Sequence, residues 1–353
     1  MTQGVDATDT GSCFEFATVS RIVFGRGTLA QAAPLAQEFG RRTLVVTGAS
    51  RERAEPLLAA LEELGAEAQV FQVEGEPDVD RVREGVLLAR RLRTDTVFAL
   101  GGGSVLDTGK AISALITNLG SLEDYLEVVG RGRTLRKRAA PMIAIPTTAG
   151  SGAEVTRNAV LRVPDQLVKV SLRSALMLPR VAIVDPELTA TLPRDVTAHT
   201  GLDALTQLIE GYVTPLSNPL TDALAREGIQ RSVRSLRRAV EDGTDLEARE
   251  DLSLDALQGG LVLANAKLGI VHGIAGPLGG LHPAAHGTIC AALLPHAMRA
   301  NVARLREEGP RGERLRRYRD VAALLLGKQR VQPEDGVEWM AELCRDLPVP
   351  RLS

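Results

Sequence analysis

The chain has 353 residues, 44% of them hydrophobic and 24% charged, a globular balance that fits two domains better than one small one. Its 42 Lys and Arg against 44 Asp and Glu leave a net charge of −2, so no overall basic field recruits nucleic acid or an anionic membrane. Cys13, Cys290 and Cys344 are too few and too scattered for a disulfide framework or a zinc ribbon, and nowhere do ~18 consecutive apolar residues form a membrane span.

Met1 to Cys13 is polar and lacks a basic stretch followed by an apolar run, so a cytoplasmic protein is expected. From about Ser20, short β-rich runs alternate with longer helical patterns. Leu44 to Thr47 predicts a strand; Leu57, Leu58, Leu61 and Leu64 recur at helical spacing, with Gly65 as the stop. Ala68 to Val73 predicts the next strand, Val82, Val86 and Ala89 a helix, and Thr96 to Leu100 a buried strand running into glycines. Met142 to Ile145 and Val181 to Val184 complete the set. Strands alternating with helices of this length indicate parallel βαβ units, because a parallel pair needs a long crossover.

After Asp185-Pro186 long amphipathic helices take over: Ile229, Val233, Leu236 and Val240 share one apolar face while arginines fill the other. The boundary falls near Glu187 to Leu192, giving an α/β domain over residues 1–188 and an all-helical domain over 189–353. The Arg-dense run from Arg304 to Arg319 also carries Glu307, Glu308 and Glu313, and is read as a solvated helix face rather than a nucleic-acid site.

Two loops invite a phosphate. Gly101-Gly102-Gly103-Ser104 follows the Thr96 strand and opens a helical pattern from Val105 to Leu115. Glycines let the backbone approach a pyrophosphate, and a helix N-terminus offers free N–H groups and partial positive charge. The spacing is neither the dinucleotide fingerprint nor a P-loop, and a glycine turn that merely closes a strand is the competing explanation. Pro146 to Thr156, which includes Thr147 and Thr148, also follows a strand, and ligands of open α/β sheets sit at such strand ends.

In the helical half, Asp203 and Gln207 are four apart and share a helix face. The chain has only five histidines, and His272, His282 and His286 fall close together. An Asp with two His can hold a divalent transition metal; hydrogen-bonded core or cap histidines are the alternative.

Together these segments resemble the iron-containing (group III) alcohol dehydrogenase family, whose fold glycerol dehydrogenases and dehydroquinate synthases share. The resemblance runs through Phe24 to Gly27, Gly101 to Lys110, Pro146 to Thr156, Asp185 to Leu188, Gly201 to Tyr212, Val271 to Gly287 and Leu294-Pro295-His296. It implies a dinucleotide-binding α/β domain, an all-helical domain, and a cleft between them for nicotinamide and metal. By position, Gly101, Gly102, Gly103 and Ser104 would hold the pyrophosphate, while Asp107, Thr147, Thr148 and Lys169 would contact the nicotinamide half and ribose. Asp203, Gln207, His272 and His286 would form the shell of an iron or zinc ion, with His272, His286 and Lys169 as the catalytic group. Two departures stand out: Gln207 occupies a position where the family usually has histidine, and Gly276 occupies that of a further histidine near substrate. NAD-specific members usually carry Asp at the position of Gly48; glycine removes its repulsion of a 2′-phosphate, and Ser50, Arg51 or Arg53 would contact that phosphate, so NADP is expected beside NAD.

The leading expectation is therefore an NAD(P)-dependent alcohol dehydrogenase acting mainly as an aldehyde or ketone reductase on small molecules, and a homodimer. Its rivals are a metal-independent reductase of the maleylacetate type, a lyase or cyclase resembling dehydroquinate synthase, and a catalytically impaired dinucleotide-binding protein.

Overall fold

Continuous apolar runs with no polar alternation belong to strands buried on both faces; four such strands, flanked by two partly exposed edge strands, form one six-stranded parallel sheet. The computed structural model describes residues 13–282 and 284–349. Residues 1–12, on which the expectation of no export signal rests, lie outside the described residues. In chain order the first half comprises β1 (Arg21–Phe24), α1 (Leu35–Phe39), β2 (Arg42–Thr47), α2 (Glu55–Glu63), β3 (Glu67–Gln72), α3 (Val79–Arg91), β4 (Thr96–Gly101), α4 (Gly103–Thr117), β5 (Met142–Pro146), β6 (Asn158–Val163), β7 (Val168–Arg173) and β8 (Val181–Val184).

The large sheet has the order β1-β8-β5-β4-β2-β3, all parallel. Period-two alternation sorts its side chains: Leu44, Val46, Val97, Ala99, Met142 and Ala144 feed one core, and Val45, Phe98, Leu100, Ile143 and Ile145 the other. From β2 the chain goes to β3 on one side, then crosses to place β4 on the opposite side of β2. That reversal opens a crevice at the carboxyl ends of β2 and β4, where open α/β sheets bind ligands.

β6 and β7 form a separate antiparallel hairpin, absent from the expected elements. Its pattern is half-polar: Ala159, Leu161, Val170 and Leu172 are buried while Arg162 and Arg173 are exposed, with Pro164-Asp165-Gln166 at the turn. The buried Lys110 of α4 ties the hairpin down, reaching Asp107 at 2.8 Å, Thr156 Oγ1 at 3.0 Å and the Asn158 carbonyl.

The second half comprises α5 (Arg194–Val213), α6 (Pro219–Glu241), α7 (Leu246–Ala266), α8 (Ile270–Leu281), α9 (His286–Glu308), α10 (Glu313–Leu326) and α11 (Pro333–Asp346). No single helix among the described residues is long and apolar enough to cross a membrane. The Arg-rich run is not one solvated helix face. Gly309-Pro310-Arg311-Gly312 breaks it between α9 and α10, and Arg317 is mostly buried, stacked 4.3 Å from the Tyr212 ring centroid and paired with Asp222.

The halves meet backbone to backbone. Gly152 adopts φ +59°, and a Cβ there would lie 2.3 Å from Gly260 Cα of α7; a Cβ on Gly260 would lie 2.4 Å from the Gly152 carbonyl oxygen. Only glycine fits either position.

Candidate active site

Three strand ends line the crevice. After β4, Gly102 lies so close to Thr148 that a Cβ would meet its Cγ2 at 3.3 Å, and a Cβ on Gly103 would meet Ser151 Oγ at 3.0 Å. The Thr147 N–H donates to the Gly101 carbonyl at 3.0 Å. Gly101 to Ser104 and Thr147-Thr148 thus form one lip at the N-terminus of α4, whose free N–H groups favour an anion. Gly48 follows β2 on the other side of the crevice, and a Cβ there would meet only Val105 Cγ2, at 4.0 Å. Ser50 bonds Glu52 at 2.5 Å and Arg53 bonds Thr191 Oγ1 at 3.0 Å, so a carboxylate stands where the sequence led us to expect only phosphate-binding groups.

Asp107 is engaged within the protein: it accepts the Val160 N–H at 3.0 Å and pairs with Lys110. Lys169, on β7, pairs with Glu76 at 2.5 Å and lies against α8, where a Cβ on Gly279 would be 2.9 Å from its Nζ. Its charge, with that of Glu76, acts on His286.

Asp203 of α5, His272 of α8 and His286 of α9 converge. Asp203 Oδ1 lies 3.3 Å from His272 Nε2 and 3.7 Å from His286 Nε2, and the two imidazole centroids are 5.4 Å apart. Glu210, two turns beyond Asp203 on the same helix face, holds this arrangement and was not foreseen. Its carboxylate accepts the Val271 N–H at 2.8 Å, the His272 N–H at 3.3 Å and His272 Nδ1–H at 2.8 Å. Anchoring Nδ1 turns Nε2 toward Asp203, the carboxylate–histidine device common around bound metals. The i, i+7 spacing from Asp203 was the available signal.

Burial pushes the Asp203 carboxyl up, but the two histidines outweigh it and hold it at about 2. Burial also lowers both histidines; hydrogen bonds to Asp203, Cys290 and Glu210 reverse this for His272, whose affinity for a proton rises, while His286 remains lowered. Asp203 Oδ1 is buried without a conventional hydrogen-bond donor. A buried carboxylate oxygen facing two imidazole nitrogens asks for a cation between them, and this donor set fits a divalent metal.

Gln207 joins the cluster's helix to the loop after β5. Its Nε2 donates to the Gly150 carbonyl at 3.2 Å, and its Oε1 is buried without a partner. That bond, with Gly150 packed on Thr200 (2.7 Å from a Cβ to Thr200 Cβ), sets α5 directly against the loop that carries Thr147 and Thr148. The carboxylate–imidazole cluster therefore stands beside the lip formed by Gly101 to Ser104 and Thr147-Thr148.

A switch-point glycine turn adjoining such a cluster suits an enzyme that pairs a dinucleotide with a divalent metal. Residues 19–186 match the family described as iron-containing alcohol dehydrogenase, and residues 197–351 match the C-terminal domain of the Fe-containing alcohol dehydrogenase family. The chain belongs to that family. It is 40% identical over 269 residues to 1,3-propanediol dehydrogenase from Klebsiella pneumoniae, covering 74% of this chain and 68% of the relative. A crystal structure of 1,3-propanediol oxidoreductase superposes with TM-score 0.87 at 33% identity, over 96% of this chain and 88% of that one. Sulfoacetaldehyde reductase from Bifidobacterium kashiwanohense, solved with NAD+, gives TM-score 0.85 at 27% identity, covering 96% and 87%. The chain is thus an NAD(P)-dependent dehydrogenase of alcohol groups, which favours this activity over the metal-independent reductase, the cyclase and the impaired binding protein.

Proposed function

We propose that this protein is a homodimeric cytoplasmic enzyme that reduces small aldehydes or ketones, and oxidises the matching alcohols, in a cleft between a dinucleotide domain of residues 1–188 and a helical domain of residues 189–353. The observation that carries this reading is the hydrogen bond from Gln207 to Gly150, which places the Asp203 cluster beside the Thr147-Thr148 lip. Gly101 to Ser104, Gly48 and Ser50 bind the phosphates and ribose; Thr147 and Thr148 orient the nicotinamide half. Asp203, His272 and His286 hold the metal, with Gln207 behind them positioning α5. When bound, the metal polarises the carbonyl or alkoxide oxygen and the nicotinamide gives or takes the hydride. Glu210 keeps His272 in the tautomer whose Nε2 faces the metal. The Lys169–Glu76 pair bears electrostatically on His286 at the mouth of the same site, and Asp107 supports the lip indirectly by fixing α4 to the hairpin.

The test is a panel of aldehydes and ketones assayed by NADH and NADPH oxidation, beside elemental analysis of the purified protein. Consumption of reduced cofactor in equal amount to alcohol formed, lost with EDTA and restored by Zn²⁺ or Fe²⁺, is the expected outcome. Full turnover in demonstrably metal-free protein would overturn the assignment of Asp203, His272 and His286.

A further inference from the structure

The cluster contains a fourth donor. Cys290 lies one turn after His286 on α9, so both side chains leave the same face of the helix. Its Sγ is buried 3.6 Å from His286 Nε2 and 3.9 Å from His272 Nε2. With Asp203 Oδ1 at 3.3 and 3.7 Å from the same nitrogens, four ligand atoms from three helices lie within 4.8 Å of one another. A tetrahedral zinc site built with ordinary Zn–N, Zn–O and Zn–S bonds has N···O edges of about 3.3 Å and N···S edges of about 3.5 Å. The observed edges match those values or exceed them by a few tenths of an ångström.

Two further observations separate Cys290 from an ordinary core cysteine. Glu210 anchors His272 Nδ1 at 2.8 Å and so turns Nε2 toward Asp203 Oδ1, an oxygen without a conventional hydrogen-bond donor. Gln207, at the position expected to complete the shell, has its amide nitrogen committed to Gly150, and offers only a neutral amide oxygen.

We propose that Cys290 Sγ is a fourth protein ligand of the divalent metal, supplying the donor that the family's missing histidine does not. The inference rests on the reading that Asp203, His272 and His286 hold that metal. On binding, the metal–sulfur bond forms as the S–H proton leaves to solvent, since a coordinating thiol is deprotonated outright. Thiolate and carboxylate together then balance the 2+ charge. A soft sulfur ligand also moves selection away from iron and toward zinc or cobalt. Four protein ligands fill a tetrahedral shell, so a substrate oxygen enters only as a fifth ligand or by displacing one of the four.

Cobalt reports sulfur directly. The full chain loaded with Co²⁺ is expected to show visible ligand-field bands of a four-coordinate site plus a near-ultraviolet sulfur-to-cobalt charge-transfer band. Cys290→Ser should lose the charge-transfer band and bind Zn²⁺ roughly ten- to hundredfold more weakly in chelator competition, with circular dichroism checking that it folds. Wild-type protein that binds cobalt without a charge-transfer band refutes Cys290 as ligand while leaving the three-ligand site intact. Wild-type protein that takes up neither cobalt nor zinc refutes both. The wild-type spectrum decides the matter even if Cys290→Ser fails to fold.

Discussion

Glu154 should make the protein's stability fall as pH rises through neutrality, and Glu154→Gln should abolish that fall. Glu154 sits in the short turn after Gly152, buried at 3% exposure, and burial pushes its carboxyl from 4.5 up to about 7 despite the attraction of Lys110. Lys110 is already committed to Asp107, Thr156 and the Asn158 carbonyl. Because the folded value lies above the unfolded one, the contribution is fully present below about pH 4.5 and is lost as pH rises through 7. At 1.36 kcal/mol per pH unit, the loss amounts to about 3 kcal/mol by pH 8. Glutamine keeps the shape of the protonated acid, so the variant should match wild type at pH 4.5 and exceed it by about 3 kcal/mol at pH 8. Urea denaturation at the two pH values measures this; with a slope on the order of 3 kcal/mol/M, the midpoints should separate by about 1 M at the higher pH only. An equal gap between variant and wild type at both pH values would show that Glu154 is not held protonated by its surroundings.

Gly102→Val should remove NAD(P)H binding, measured by fluorescence titration, while leaving the circular dichroism unchanged, because the new side chain crowds Thr148 and fills the lip. Glu52→Gln should raise kcat/KM for NADPH relative to NADH severalfold, since it removes the carboxylate that Ser50 bonds; an unchanged ratio would place the 2′-phosphate elsewhere. Gly260→Ala should cost about 1–3 kcal/mol in thermal or urea unfolding, because its Cβ meets the Gly152 backbone rather than a side chain that can turn aside. His286→Ala should lower metal per chain and turnover together, by elemental analysis and cofactor oxidation.

The strands that are buried on both faces were legible almost to the residue. Thr96 to Leu100 is one residue short of β4, and Val181 to Val184 is β8 itself. A run such as Val97-Phe98-Ala99-Leu100 has no polar member that could face water, so its state follows from composition. The β6–β7 hairpin is different. Each strand is short and half-polar, and its apolar side joins a core built with α3 and α4, neighbours that exist only in the folded chain. In the Arg-rich stretch, composition outweighed Gly309-Pro310 and Gly312, although those residues marked the break. In the site, Asp203, His272 and His286 stood out as polar residues in apolar helices. Glu210 and Cys290 did not, because their significance lies in contacts with His272, which is 62 and 18 positions away from them along the chain.

The ligand cluster also bears on how α8 stays folded. Among its twelve residues only Val271, Ala275 and Gly279 are buried, while Ile270, Ile274 and Leu281 are more than two-fifths exposed. A helix with so thin an apolar stripe and four glycines after His272 contributes little propensity of its own. What fastens it are Glu210 at its first turn and His272 in the cluster, both charge-based attachments. A bound cation therefore acts on α8 as a cross-link between α5 and α9, and stabilises it by mass action in proportion to the logarithm of free metal. Amide exchange along Ile270–Leu281 becomes a gauge of metal supply, slow when the ion is plentiful and fast when a chelator withdraws it, while the exchange of β4 and β5 stays unaltered.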